Sequence, residues 1–129
     1  ESHGDALWAS HPDQCCQLRK VEPLTRVLKG YEAWITGIRR DQAPSRANAG
    51  LIEWDEKFTL IKVNPLARWT WADVWSYIKV YEVPYNPLHD HNYPSIGCTY
   101  CTAPVASGDD PRAGRWKTFT KTECGLHKA

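Results

Sequence analysis

Five cysteines, in a distinctive arrangement, constrain this 129-residue chain more than any other feature. Cys15 and Cys16 are adjacent, Cys98 and Cys101 form a C-x-x-C pair, and Cys124 stands alone near the C-terminus. Adjacent cysteines do not readily bond to each other, because the disulfide geometry is strained. Both can face one metal centre together with the C-x-x-C pair, so we expect a fold that brings the two pairs together.

The kind of centre is less sharply defined by the pattern. A C-x-x-C pair alone is compatible with zinc, with an iron–sulfur cluster or with free thiols in the core. The adjacent pair favours a [4Fe–4S] cluster, since zinc sites usually use spaced cysteines. An odd cysteine count without a secretion signal argues against a disulfide framework and favours a reducing, cytoplasmic compartment.

Bulk properties exclude several classes of protein. The net charge of +1 favours neither nucleic acid nor a membrane surface as a partner. No apolar run reaches the ~20 residues of a membrane-spanning helix. The length fits one domain. The chain begins with Glu1 and contains no methionine, so we expect it to be a fragment, a processed chain or a trimmed one.

Both helix-like and strand-like segments occur along the chain, and an α/β fold is expected. The predicted helices are 12–29, with a conflict at Pro23, and a helix from Thr70 to near Glu82, where Thr70 and Asp73 resemble a capping box. The predicted strands are 33–38, 51–54 and 58–63. Loops are expected over 39–50 and 83–97, one helical turn within 109–116, and a mobile tail over 117–129.

Seven short motifs occur in one order between Trp8 and His127. They are CCQLRK (15–20), WITGIRRDQ (34–42), WTW (69–71), PYNPLHD (84–90), YPSIGC (93–98), RAGRW (112–116) and ECGLH (123–127). Together they resemble assimilatory adenylyl-sulfate (APS) reductases, of the PAPS/APS reductase family.

The resemblance implies a fold and a division of the chain. We expect the later part of an adenine-nucleotide-alpha-hydrolase-like (PP-loop) sheet, sandwiched by helices. Residues 1–116 would be the C-terminal part of the reductase domain, with the iron–sulfur site, and 117–129 a flexible tail with the catalytic cysteine. The family's upstream nucleotide-binding half, with its Ser-Gly-Gly-rich phosphate loop, has no match in this sequence.

The resemblance also implies roles for individual residues. Cys124 would attack the sulfate sulfur of APS, expel AMP and carry a Cys–S–SO3 adduct, from which thioredoxin would release sulfite. A [4Fe–4S] cluster would be bound by Cys15, Cys16, Cys98 and Cys101, a set that favours APS over PAPS. The substrate's anionic groups would contact Lys20, Arg39, Arg40, Arg112, Arg115 and His127.

The need for these cations is physical, because a thiolate that attacks sulfate must overcome the negative charge of the oxygens around it. Taken singly, each residue has a simpler interpretation. Arg39 and Arg40 could be solvated residues of a loop, and Arg112 and Arg115 could form one exposed face of a helix. Lys20 could lie along its own helix with its charge in water. His127 could be an unpaired histidine in the tail, and Cys124 an inert thiol there.

Three other functions stay open: a PAPS reductase that retains a cluster, a non-catalytic metal-binding module, and an interaction domain suggested by the aromatic content. The expected partners are APS and thioredoxin. Self-association is a further expectation, because a C-terminal half alone would expose a sheet edge and apolar surface. We expect the cluster to act by charge and structure, since thiols supply the electrons in this family.

Overall fold

A computed structural model of the chain describes Gly4 and residues 6–127. The structure does not describe residues 1–3 and 5, which fall in the predicted domain 1–116, or residues 128 and 129, which fall in the predicted tail 117–129. The α-helices are α1 (Leu7–Ser10), α2 (Pro12–Cys16), α3 (Glu22–Leu28) and α4 (Trp71–Val80). The strands are β1 (Ala33–Ile35), β2 (Ile52–Asp55) and β3 (Leu60–Val63). Shorter 3-10 turns cover Arg40–Gln42, Pro44–Arg46, Pro87–His91 and Thr99–Cys101.

The predicted helix over 12–29 is one helical run with a change of pitch. A π-helical turn, Gln17–Val21, joins α2 to α3. Pro12 starts α2, and Pro23 falls in the first turn of α3. At these positions a proline lacks only an amide hydrogen that the helix start leaves unpaired. The widened turn thereby resolves the conflict predicted at Pro23 and directly follows the adjacent cysteines.

The three strands form a mixed sheet in the order β1-β3-β2. β1 runs parallel to β3, and β2 runs antiparallel to it. β1 ends three residues earlier than predicted, where the Thr36 hydroxyl donates to Asn64. β3 begins later than predicted because the Asp55 carboxylate accepts the amide hydrogens of Lys57 and Phe58 and closes a turn. The predicted α/β class is confirmed.

The two faces of the sheet differ in burial. One face contributes Leu60 and Trp34 to a core with Val21, Leu28 and Phe58. On the opposite face, Ile35, Ile52 and Trp54 are 75%, 70% and 56% exposed. Helix α3 and the C-terminal residues therefore cover one side of the sheet, while the other side presents apolar side chains.

Helix α4 begins at the predicted capping box. The Thr70 hydroxyl accepts the Asp73 amide hydrogen at 3.2 Å, and the Asp73 carboxylate accepts the Thr70 amide hydrogen at 2.8 Å. The helix ends at Val80, and none of its residues is buried. Within the described part of the chain, no helix has both the length and the apolar character needed to cross a membrane.

The helical turn predicted within 109–116 is absent. The amides of Ala113 and Arg115 donate to the carbonyls three residues earlier, at 2.8 Å each, which makes two reverse turns. Arg115 then forms an antiparallel bridge with Thr102. Gly114 lies so close to the Ala103 carbonyl that a Cβ atom would overlap it. The segment is therefore bound to the C-x-x-C region and does not coil into a helix.

Candidate active site

Residues 117–127 contain no helix or strand, yet their last part is packed against the core. Leu126 contacts the buried core cluster. The His127 ring stacks on Trp34, with 5.5 Å between ring centroids and 11° between ring planes. Lys57 donates to the Gly125 carbonyl from the other side. Cys124 is therefore held half-buried in this structure, while mobility of the tail stays a prediction.

Glu123, next to the predicted nucleophile, is bound by two arginines. Its Oε1 accepts from Nε of Arg46 at 2.8 Å and from the Ser45 hydroxyl at 3.1 Å. Its Oε2 lies 2.7 Å from one terminal nitrogen of Arg46 and 3.3 Å from one of Arg112. Burial acts to raise the pKa of Glu123, but the Arg46 hydrogen bond and the nearby positive charges outweigh it and lower the pKa. The carboxylate is therefore ionised and closely paired.

The Cys124 thiolate interacts electrostatically with Arg112 and with the adjacent cysteine pair. Burial lowers the pKa of Arg112. The negative charge of Glu123 acts to raise this pKa, and a Cys124 thiolate acts in the same direction with a smaller effect. Burial raises the pKa of Cys16; Lys121 and Lys20 lower it, and a Cys124 thiolate raises it. The thiol of Cys124 is therefore within electrostatic range of Arg112 and of Cys16.

The two cysteine pairs lie within electrostatic range of each other. Cys16 and Cys101 are buried, Cys15 is half-buried and Cys98 is exposed, and all are free thiols. Burial raises the pKa of Cys101, and the thiolates of Cys98, Cys16 and Cys15 raise it further. That the four thiols share one centre stays a prediction.

This donor set suits an iron–sulfur cluster in its chemistry. Four cysteine thiolates are the ligands of a [4Fe–4S] cluster, and each binds a different iron, so the sulfurs need not converge on one point. Among Gly4 and residues 6–127, no group of three or more His, Cys, Asp and Glu side chains is placed to hold a metal ion. The cluster therefore stays a proposal.

Arg115 supports the loop that precedes the C-x-x-C pair. One terminal nitrogen donates to the Ser95 hydroxyl at 3.2 Å and to the Ile96 carbonyl at 3.3 Å. Its guanidinium lies 4.5 Å from the centroid of the Trp116 ring. At Gly97 a Cβ atom would overlap the guanidinium. Arg115 is therefore half-buried and braced, which replaces the exposed helical face considered from sequence.

The two neighbouring arginines of the Arg39–Arg40 loop point in different directions. Arg39 is buried, donates to the Asp41 carboxylate at 2.9 Å and lies 5.4 Å from the Trp71 ring centroid. It lines a cavity of about 180 Å³ together with Arg112. Arg40 is exposed and donates to the Ala49 carbonyl at 2.8 Å. Of the pair, Arg39 is the one that shares a cavity with the residues around Glu123.

Lys20 and His127 have contrasting surroundings. Lys20 is half-buried on the π-helical turn, and its charge lowers the pKa of Cys16 and of Cys101. Burial, with the Arg46 and Lys62 charges, lowers the pKa of His127 to about 4. The ring is therefore neutral near pH 7 in this conformation. Its contact with the substrate stays a prediction, but here it supplies no positive charge.

Sequence reasoning missed Arg46, which is 8% exposed and carries the main ion pair of this site. It lies in the segment 39–50, which was predicted only as a polar loop, and its partner is 77 residues away. The one signal was a third arginine close behind Arg39 and Arg40 in a loop with no other cations. Arg112, Arg115 and Lys121 line an adjoining cavity of about 280 Å³, next to Ser45 and Thr122.

Comparison with known proteins finds relatives that are named as reductases of sulfated adenine nucleotides. Adenosine 5'-phosphosulfate reductase 1 of Bacillus subtilis (strain 168) is 56% identical over 128 residues, which are 99% of this chain and 55% of that protein. Phosphoadenosine 5'-phosphosulfate reductase of Gloeobacter violaceus is 55% identical over 127 residues, 97% of this chain and 53% of that protein. The chain therefore spans about half the length of the curated relatives it matches.

A solved structure agrees with the sequence matches. The phosphoadenylyl-sulfate (PAPS) reductase of Candida auris, in a phosphate complex, superposes with a TM-score of 0.68 and 41% identity, over 79% of this chain and 49% of that one. This confirms the predicted PP-loop-like fold. The family described as "Phosphoadenosine phosphosulfate reductase domain" matches residues 1–104. The chain therefore belongs to the phosphoadenosine phosphosulfate reductase domain family.

Proposed function

We propose that the chain carries the reducing half of an adenylyl-sulfate reductase, which converts APS to sulfite and AMP with thioredoxin as the reductant. The observation that carries the proposal is the position of Cys124. Its thiol is half-buried, within the field of Arg112, and the adjoining cavity is lined by Arg112, Arg115 and Lys121. Guanidinium groups suit this task, because their planar fork binds two oxygens of one anion. Relatives named adenosine 5'-phosphosulfate reductase support the same activity.

The proposed reaction has two steps. The Cys124 thiolate attacks the sulfate sulfur, an S–S bond forms, the S–O bond to the phosphate breaks, and AMP leaves with the electron pair. A thioredoxin thiolate then attacks Sγ of Cys124 and releases sulfite, and the second thioredoxin thiol resolves the mixed disulfide. The sulfur gains two electrons, which the thioredoxin dithiol supplies as it is oxidised to a disulfide.

In this proposal the four paired cysteines would hold a [4Fe–4S] cluster that supplies fixed charge and structural support beside Lys20. Lys20, Arg39, Arg40, Arg112, Arg115 and His127 are the proposed substrate contacts, as predicted from sequence. Arg46 and Glu123 join them on structural grounds. A cytoplasmic location, in the pathway of sulfate assimilation, and self-association complete the proposal.

PAPS is the competing substrate, and one observation keeps it in view. The Gloeobacter violaceus relative, named a phosphoadenosine 5'-phosphosulfate reductase, is 55% identical, close to the 56% of the Bacillus subtilis relative. Overall identity therefore does not separate the two substrates. The four cysteines favour APS. A competition assay with equal APS and PAPS, read by AMP against 3'-phosphoadenosine 5'-phosphate, distinguishes them.

The decisive test traps the intermediate. The chain is joined to the N-terminal half of the Bacillus subtilis relative, incubated with APS without thioredoxin, and analysed by peptide mass spectrometry. We expect a sulfonate adduct on Cys124 that thioredoxin removes with release of sulfite. Cys124→Ser gives neither, while it retains iron. An intact chimera that binds APS but forms no adduct on Cys124 contradicts the proposal and favours the non-catalytic metal-binding module.

A further inference from the structure

The carboxylate of Glu123 occupies a position built for an anion with several oxygens. Three side chains from two segments, Ser45, Arg46 and Arg112, direct donors at its two oxygens. The side chains of Arg46 and Glu123 are only 10% and 16% exposed, so water screens this pair weakly. A bidentate guanidinium and a second guanidinium on the same oxygen form an arrangement that also suits a tetrahedral oxyanion.

This position requires an anion of some kind. Arg46 and Arg112 both approach Oε2 of Glu123, at 2.7 and 3.3 Å, so their guanidiniums lie on one oxygen atom. Without a negative charge between them, two largely buried cations would face each other, which is strongly unfavourable. The position is therefore occupied either by the chain's own carboxylate or by an anion from solution.

The occupant is the residue that immediately precedes the nucleophile. The Glu123 side chain can rotate away from Arg46, and any backbone movement that accompanies this also moves Cys124, because one peptide unit joins the two residues. Leu126 and His127 remain attached to the core and to Trp34 on the far side of Gly125, which has a φ of +84°. A backbone displacement at Glu123 therefore turns the short segment 121–125 while its end stays in place.

We propose that Glu123 is an internal substitute for the sulfo group of the substrate, and that an incoming sulfo group displaces it from Arg46 and Arg112. The inference rests on the proposed function, and it assigns to Glu123 and Arg46 a role in positioning. The anion that takes the place of the carboxylate is the group that Cys124 attacks. Exchange of one anion for the other therefore couples substrate arrival to the release of the thiol from its resting position.

Inorganic sulfate is the probe, and the rate at which iodoacetamide alkylates Cys124 of the unmodified chain, read by peptide mass spectrometry, is the first readout. Sulfate and chloride are compared at equal ionic strength, because screening alone weakens ion pairs. We expect sulfate, and not chloride, to speed alkylation of the half-buried Cys124. Sulfate that binds to the chain and leaves the alkylation rate of Cys124 unaltered overturns the proposal, because the bound anion then does not release the thiol.

Glu123→Gln gives the second readout. The amide removes the competing charge, so we expect inorganic sulfate to bind about tenfold more tightly by calorimetry. We also expect fast alkylation of Cys124 in this variant without sulfate. Glu56→Gln is the matched control, because it removes an equal charge from an exposed turn. Equal sulfate affinity in the two variants, or no sulfate binding in any of the proteins, contradicts the proposal; binding to Glu123→Gln alone supports it.

These experiments do not depend on turnover. A chain that binds sulfate as expected but forms no adduct on Cys124 keeps the anion exchange and loses the proposed reductase activity. If Glu123→Gln does not fold, the alkylation experiment on the unmodified chain decides the question by itself.

Discussion

The imidazole of His127 lies nearly parallel to the indole of Trp34, with 5.5 Å between their centroids, and its Nδ1 is buried with no hydrogen-bond partner among Gly4 and residues 6–127. This stack fastens the end of the segment that carries Cys124. Arg46 and Lys62 oppose a positive charge on the ring, while Glu123 and Asp55 favour one, and burial dominates. The contact is therefore made by the neutral ring.

The stack predicts a pH dependence of tail attachment. The pKa of His127 is about 4 in the folded chain, below the ordinary value of 6.5, so the folded state binds fewer protons than the unfolded one. Its contribution to stability is complete above pH 6.5 and is lost as the pH falls towards 4. We expect the NMR signals of the Trp34 ring, which the His127 ring covers, to shift towards those of an uncovered indole over that range. His127→Phe keeps the stack without the titration, and a variant with the same pH profile as the parent would contradict this account.

The Arg46→Lys variant tests whether the paired hydrogen bonds from the Arg46 guanidinium to the Glu123 carboxylate stabilise the fold. Lysine keeps the charge but loses the paired hydrogen bonds to Glu123, at 2.8 and 2.7 Å, and the bond to Gln42 at 2.6 Å. We expect the free energy of unfolding to fall by about 1–3 kcal/mol. Urea titration measures it. The control is Arg40→Lys on the exposed side of the same loop, for which we expect a change within about 0.5 kcal/mol.

Gly97→Ala tests the bracing of the C-x-x-C loop. The added Cβ overlaps the Arg115 guanidinium, which must leave Ser95 and the Ile96 carbonyl. We expect a loss of about 1 kcal/mol or less in unfolding free energy, because the guanidinium ends a flexible side chain that can shift, and lower iron content after anaerobic reconstitution. Gly37→Ala is the control, because nothing lies within 4 Å of a Cβ at that position. Equal stability of the two variants would show that the Arg115 contacts are not required.

The sequence predicted those features that depend on local pattern. Thr70 and Asp73 are three residues apart and mark the start of α4, and the strand segments have the expected apolar residues. Pro23 indicated a kink or a split in the helix over 12–29, but the π-helical turn that precedes it was not predictable, because Val21 of that turn packs into a core built from distant segments. The early end of β1 has a similar origin, since it depends on a long-range contact between Thr36 and Asn64.

The candidate site also contains some residues that the sequence pattern predicts and others that it does not. The cysteines were recognisable because their spacing is itself the signal. The Arg46–Glu123 pair was not, because its members are 77 residues apart and neither stands in a local pattern that indicates a partner. The neutral state of His127 likewise depends on burial against Trp34, which no short sequence window reveals.

Iron analysis separates the structural cysteines from the catalytic one. Cys101 is buried within electrostatic range of the other three paired cysteines, so Cys101→Ser removes one of the four proposed cluster ligands. We expect about four irons and four sulfides per chain in the anaerobically prepared parent and in Cys124→Ser, but much less in Cys101→Ser. One zinc per chain without sulfide would mean a structural site in place of the cluster. Loss of iron from Cys124→Ser as well would make Cys124 part of the metal site, which is incompatible with a nucleophile that must be free to attack sulfate.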